Sequence, residues 1–103
     1  MARKHLRPAH PGAIVRDYFI AACGVTPYRV AKDLGVTLPR VNDLVREKRA
    51  VSTEMGLLLA RYFQTSGSFF LNLQSDYDRR NAHSALGKRL GRVKPFDPGD
   101  RDG

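Results

Sequence analysis

Pro27-Tyr28-Arg29-Val30-Ala31-Lys32-Asp33-Leu34-Gly35-Val36-Thr37-Leu38-Pro39-Arg40-Val41-Asn42-Asp43-Leu44-Val45-Arg46 holds the strongest folding signal in this chain. Two helices that cross steeply through a tight turn need particular residue types at fixed offsets. With Pro27 as the first position, the fifth must be small because the helices nearly touch there, and it is Ala31. The ninth must reverse the chain, and it is Gly35. Buried apolar side chains are required at the fourth, eighth, tenth, fifteenth and eighteenth positions, which are Val30, Leu34, Val36, Val41 and Leu44. All seven constrained positions agree, so residues 27–46 are read as a helix-turn-helix.

Outward from this motif the pattern stays helical with short loops. Thr26 precedes Pro27 as an N-cap, and Pro at the first helical position loses no hydrogen bond. Thr37 stands in the same place before the second motif helix. Upstream, Ile14, Val15, Tyr18, Phe19 and Ala22 recur on one face of a helix that Gly24 ends. Downstream, Lys48-Arg49-Ala50-Val51 reads as a loop. Ser52 caps a fourth helix whose inner face is Met55, Leu58, Leu59, Tyr62 and Phe63. Glu54 suits the positive N-terminal end of that helix. Gly56 within it predicts a close approach of two helices. Phe69, Phe70, Leu73 and Tyr77 mark a fifth helix that decays between Asn81 and Gly87. Arg92-Val93-Lys94-Pro95-Phe96 alternates weakly, and Pro95 confines any strand there to an edge.

The predicted fold is therefore all-α with five helices. Residues 1–10 read as a flexible basic arm, 11–86 as the folded domain, and 87–103 as an extension ending in a disordered polar tail. A length of 103 residues favours one domain. No apolar run is long enough to cross a bilayer, and the N-terminus lacks a signal-peptide core, so a cytoplasmic protein is expected. One cysteine, Cys23, excludes an internal disulfide and fits a reducing compartment. Eighteen Lys and Arg against ten Asp and Glu leave a net charge of +8, which points to a polyanionic partner. Ten of those cations fall in residues 1–50, where the motif lies.

Helical geometry sorts the second motif helix by face. At about 100° per residue, Val41 and Leu44 set the buried direction; Pro39, Asn42, Asp43 and Arg46 then point outward, and Arg40 flanks them. A helix entering the DNA major groove needs such groups, because Arg pairs with guanine O6 and N7 and Asn with adenine N6 and N7. Asp43 orients a guanidinium or accepts from cytosine, and Leu38 can touch a thymine methyl. Base contacts are thus expected from Leu38, Pro39, Arg40, Asn42, Asp43 and Arg46. Thr26, Arg29, Lys32, Thr37, Lys48 and Arg49 are the expected phosphate contacts.

Catalysis finds no support. A small ribonuclease needs a His acid or base beside stabilising cations. His5 and His10 lie in or beside the basic arm, and His83 lies at a fraying helix end. Cys23 is read as a small packed hydrophobe. Asp76 and Asp78 fall on nearly opposite sides of a helix, so no metal site is expected. Neither a cofactor nor a catalytic residue is assigned.

From His10 to about Ala85 the chain resembles the HigA-type antitoxins, within the larger lambda-repressor-like helix-turn-helix group of XRE-type regulators. The resemblance runs through His10-Pro11-Gly12, Tyr28 to Val36, Pro39 to Arg46, Lys48-Arg49-Ala50-Val51-Ser52 and Leu59-Ala60-Arg61-Tyr62-Phe63. Phe69-Phe70-Leu71-Asn72-Leu73-Gln74 is its most discriminating part. It implies a lambda-repressor-like domain that binds a palindromic operator in its own promoter as a homodimer. It also implies a small basic ribonuclease toxin of HigB type as protein partner. A stand-alone repressor without a toxin is the alternative. Dimerisation in the family maps to the fifth helix, with Phe70, Leu73 and Tyr77, and to the segment up to Phe96. Arg16, Asp17 and Phe19 on the first helix are the expected toxin contacts. Glu47 sits where many members carry Gly, so the recognition helix either runs on or ends under mild strain. Phe70 stands where Trp is frequent.

Overall fold

His10 opens the first helix, α1. Its Nδ1 accepts the Gly12 N–H at 2.8 Å, and Pro11 takes the first helical position. The computed structural model describes residues 9–99. Most of the basic arm, including His5, and the last four residues of the tail lie outside them. His10 is no part of a loose arm: it is half-buried and packs edge-on against Tyr77 at 5.0 Å.

α1 changes pitch along its length. It starts as Pro11–Ile14, widens into a π-helix over Val15–Ile20, and closes as Ala21–Cys23. A π turn bonds residue i to i+5, and here the Ala21 N–H reaches the Arg16 carbonyl. The inward face shifts accordingly. Val15 and Ile20, five apart, are buried, whereas Tyr18 is 73% exposed and Ala22 faces solvent. The expected face of Tyr18 and Ala22 is thus corrected. Cys23 is exposed rather than packed, since it follows the same rotated end.

The remaining helices are α2 (Pro27–Leu34), α3 (Leu38–Val45), α4 (Thr53–Tyr62), α5 (Phe69–Leu86) and α6 (Lys88–Arg92). The described residues therefore form six helices and no strand. The sixth, Lys88–Arg92 after Gly87, is additional to the five expected, and the expected edge strand over residues 92–96 is not formed: Arg92 ends the helix and Val93 leaves it in extended backbone. Thr26 caps α2 by accepting the Arg29 N–H at 3.1 Å, and Ser52 caps α4 by accepting that of Met55 at 3.1 Å.

α2 and α3 cross against each other, α4 packs on α2 and on α5, and the first turn of α1 touches both α3 and α5. Val15, Val30, Val41, Leu44, Leu59 and Phe70 are nearly or wholly shielded at their meeting point. Leu34 and Val36 are half-buried against this core. Phe19, Phe63 and Phe69 surround Phe70 with ring centroids 5.0–6.4 Å away, mostly edge to face, the geometry that ring quadrupoles favour. Gly56 brings α4 close to α5, as its spacing foretold: a Cβ there would lie 2.6 Å from Leu71 Cδ2.

Gln74 ties α5 to the loop before α4. Its Oε1 accepts the buried Val51 N–H at 2.7 Å, and its Nε2 donates to Asp78 at 2.9 Å. Beyond it α5 loses its apolar face. Every residue from Asp78 to Ala85 is exposed, so this half of the helix projects from the body and draws the molecule out to 60 Å.

Candidate nucleic-acid interface

α2 ends where Gly35 takes a left-handed conformation, φ 74°. The Val36 N–H returns to the Ala31 carbonyl at 3.0 Å, the bond that closes a Schellman turn. Only three residues, Gly35, Val36 and Thr37, separate the end of α2 from the start of α3. The buried Ala31 lets the two helices cross closely, and Val30 and Val41 are both shielded beside it.

This packing fixes how α3 faces outward. Val41, Leu44 and Val45 are 2%, 1% and 8% exposed, so the opposite edge of the helix is left to solvent. Pro39 and Arg46 are exposed there, with Leu38, Arg40, Asn42 and Asp43 half-exposed. α3 brings these six side chains together along one ridge. Thr26, Arg29, Lys32 and Thr37 on the α2 side, with Lys48 and Arg49 beyond α3, are exposed at its two margins. Thr37 occupies the N-cap position without a capping side-chain bond, unlike Thr26, and the Arg40 N–H instead reaches its carbonyl at 3.2 Å.

The helix ends at Val45. Arg46 has left helical geometry, and Glu47 is left-handed at φ 64°. The Lys48 N–H bonds the Asp43 carbonyl at 2.8 Å and the Glu47 N–H that of Leu44 at 2.9 Å. The stop is thus a left-handed turn of the kind glycine commonly makes, here made by a glutamate, and the strained alternative of the two expected endings is the one observed. Left-handed backbone costs an ordinary residue about 1–2 kcal/mol. Glu47→Gly is therefore expected to leave the melting temperature at or above that of the parent. Glu47→Val, β-branched at positive φ, should lower stability by about 1–2 kcal/mol in denaturant titration.

Arg16 of α1 reaches this same turn. Its Nη1 donates to the Val45 carbonyl at 2.8 Å and to Glu47 at 3.2 Å, and its Nε pairs with Asp17 at 2.9 Å. Asp17 and then Glu47 push the guanidinium pKa up, and Arg16 holds the Asp17 carboxyl below its usual range. Arg16 thereby acts on the end of α3, and Phe19 is half-buried among Phe63, Phe69 and Phe70. Of the three first-helix candidates only Asp17 stands freely exposed.

Carboxylates already hold several of the cations. Arg29 pairs with Asp33 at 2.7 Å, Arg40 with Glu54 at 3.2 Å, and Arg49 with Asp43 at 3.7 Å. The guanidinium that Asp43 meets is that of Arg49, because the chain turns back at Glu47. Tyr62 donates to Asp33 at 2.6 Å, and this bond first, with Arg29 second, keeps the Asp33 carboxyl below its ordinary value. Glu54 is the residue of this surface that motif spacing did not assign to it.

Phe70 is corrected as a dimerisation residue: it is wholly buried, so its ring cannot meet a second chain. Leu73 and Tyr77 are half-buried on α5. Asp76 is held by Arg79 at 2.6 Å and Arg80 at 2.9 Å. Among the described residues no group of three His, Cys, Asp or Glu is placed to hold a metal, and no helix is long and apolar enough to cross a membrane.

A polar ridge on a buried-backed helix, set by a glycine turn and flanked by cations, defines a helix-turn-helix DNA-binding protein. The Pseudomonas aeruginosa antitoxin HigA, solved with the higBA promoter, matches with a TM-score of 0.81 and 43% identity over 88% of this chain and 100% of that one. The chain belongs to the HigA family of antitoxins. A HigA-family addiction-module antidote protein of Coxiella burnetii gives a TM-score of 0.79 at 32% identity, covering 87% of this chain and 99% of that one. Virulence-associated protein I of Dichelobacter nodosus is 38% identical over 82 residues, 79% of this chain and 76% of that protein. No protein-family model matches the chain.

Proposed function

We propose that this chain is the antitoxin of a type II toxin–antitoxin module. As a homodimer it binds a palindromic operator in its own promoter, and it neutralises a HigB-type ribonuclease toxin. The observation that carries the DNA half is the outward ridge of Arg40, Asn42 and Arg46 on a helix whose Val41 and Leu44 are sealed in the core. The P. aeruginosa relative described with its promoter supports the same reading. In a dimer the two copies of α3 would lie about 34 Å apart, or a multiple of it, on one face of the duplex. Such a regulator works in the bacterial cytoplasm, where its operator is.

Base and phosphate contacts separate by experiment. Asn42→Ala is expected to cost about 1–3 kcal/mol on the DNA upstream of its own gene, and little on a scrambled duplex of equal length. Lys48→Ala should weaken both duplexes alike and make the slope of log K against log salt shallower by about 1. Fluorescence anisotropy at several salt concentrations reads both effects. Equal losses for Asn42→Ala on the two duplexes would move that residue to the backbone set. For the toxin half, charge reversal at exposed Asp17 is expected to weaken co-purification with the product of the adjacent gene.

A further inference from the structure

Glu54 lies outside the helix-turn-helix, fourteen residues beyond Arg40 and in the first turn of α4. Its Oε1 nevertheless accepts a hydrogen bond from Arg40 Nη2 at 3.2 Å. The arginine side chain is 31% exposed and the glutamate 69%, so Glu54 sits on the solvent side of a partly sheltered guanidinium. This is an ion pair from the ridge of α3 to another helix. The neighbouring pair, Arg49 with Asp43, links that helix only to the loop that follows it.

The placement has two physical consequences. The unbonded N–H groups of a helix start make a positive field, which repels a nearby cation. Arg40 is held beside the start of α4 because the Glu54 carboxylate offsets that field. A guanidinium also carries five N–H donors in one plane. Glu54 engages Nη2 and fixes the plane, while the other donors remain for a two-pronged contact with guanine O6 and N7. The same carboxylate repels phosphate, which disfavours any register in which Arg40 slides onto the DNA backbone.

We propose that Glu54 is a positioning residue that holds Arg40 for guanine reading and so sets a G·C preference at one step of each half-site. The inference rests on α3 being the recognition helix. It deepens that reading by adding a residue that touches no base.

The test is selection from a randomised duplex library by the full-length chain and by Arg40→Ala, Glu54→Gln and the double variant. Affinities for the selected and a scrambled duplex are measured in parallel. Arg40→Ala should abolish one selected G·C. Glu54→Gln should weaken the same preference roughly tenfold. It should also tighten binding to the scrambled duplex severalfold, because a negative charge has gone. Combined with Arg40→Ala it should add nothing to the loss of preference, and Glu54→Asp should restore part of it. An unchanged preference in Glu54→Gln, with Arg40→Ala defective, overturns the positioning role alone. So does an equal loss on both duplexes, which would mark a merely structural effect. An unchanged preference in Arg40→Ala removes that residue as a base reader and Glu54 with it. Absence of any selected sequence for the parent chain overturns the DNA-binding reading itself.

Discussion

Gly12→Ala is expected to destabilise the fold by about 3 kcal/mol, a large loss for a domain of this size. Gly12 is buried in the first turn of α1, against the C-terminal end of α3. A Cβ there would overlap the Leu44 carbonyl oxygen, which is backbone and has no rotamer to move into. Either α1 or the recognition helix must shift. The intrinsic gain of alanine over glycine in a helix, about 1 kcal/mol, works against this cost but does not cover it. The melting temperature should fall by roughly 10–20 °C.

Gly56→Ala makes a matched control. Its Cβ would meet the end of the Leu71 side chain, which can rotate away, so helix propensity and crowding nearly offset within about 1 kcal/mol. Two helical glycines thus have different expected outcomes, decided by whether the obstacle is backbone or side chain. A Gly12→Ala protein melting at the parental temperature would show that α1 and α3 do not touch there.

The difference between these two glycines also marks what the sequence makes legible. Gly56 stands inside a strong apolar pattern, and a helical glycine there is a local signal of close packing. Gly12 follows His10 and Pro11 at a helix start, where glycine has ordinary local reasons, and its contact lies thirty-two residues away in the chain. The helix-turn-helix is readable for the opposite cause. Its geometry is local, so Ala31, Gly35 and five apolar positions are constrained within twenty residues. The same locality misleads in α1. A period of 3.6 places Tyr18 and Ala22 inward, whereas the π turn makes Val15 and Ile20 the inward pair. Tertiary partners are the other blind spot. Glu54 satisfied every expectation of a helix-start acid, which hid its bond to Arg40. Gln74 reads in the sequence as an ordinary polar helix residue, because its partner, the Val51 N–H, lies in a loop twenty-three residues away.

Phe70→Ala is expected to cost about 3–5 kcal/mol, the range for emptying a fully buried aromatic site. Its ring is wholly shielded and packs against Phe19 and Phe69 at 5.0 Å each. Those neighbours come from α1 and from the same turn of α5, and Phe63 closes the third side from the end of α4. No one of these helices can collapse into the void without dragging another, so most of the cavity should persist. A residue in an interface between chains would behave differently. Its loss would be felt mainly through association, so the deficit would be absent where both proteins are monomeric and would grow as concentration rises through the dimerisation range. For a core residue the cost is paid inside each protomer and is the same at every concentration. Thermal melts of Phe70→Ala across a hundredfold range of concentration therefore distinguish the two roles. A fall in melting temperature parallel to the parent at all concentrations places Phe70 in the core. A deficit that is absent at low concentration and appears only as concentration rises would return it to the dimer surface and contradict the packing of α1, α4 and α5 around it.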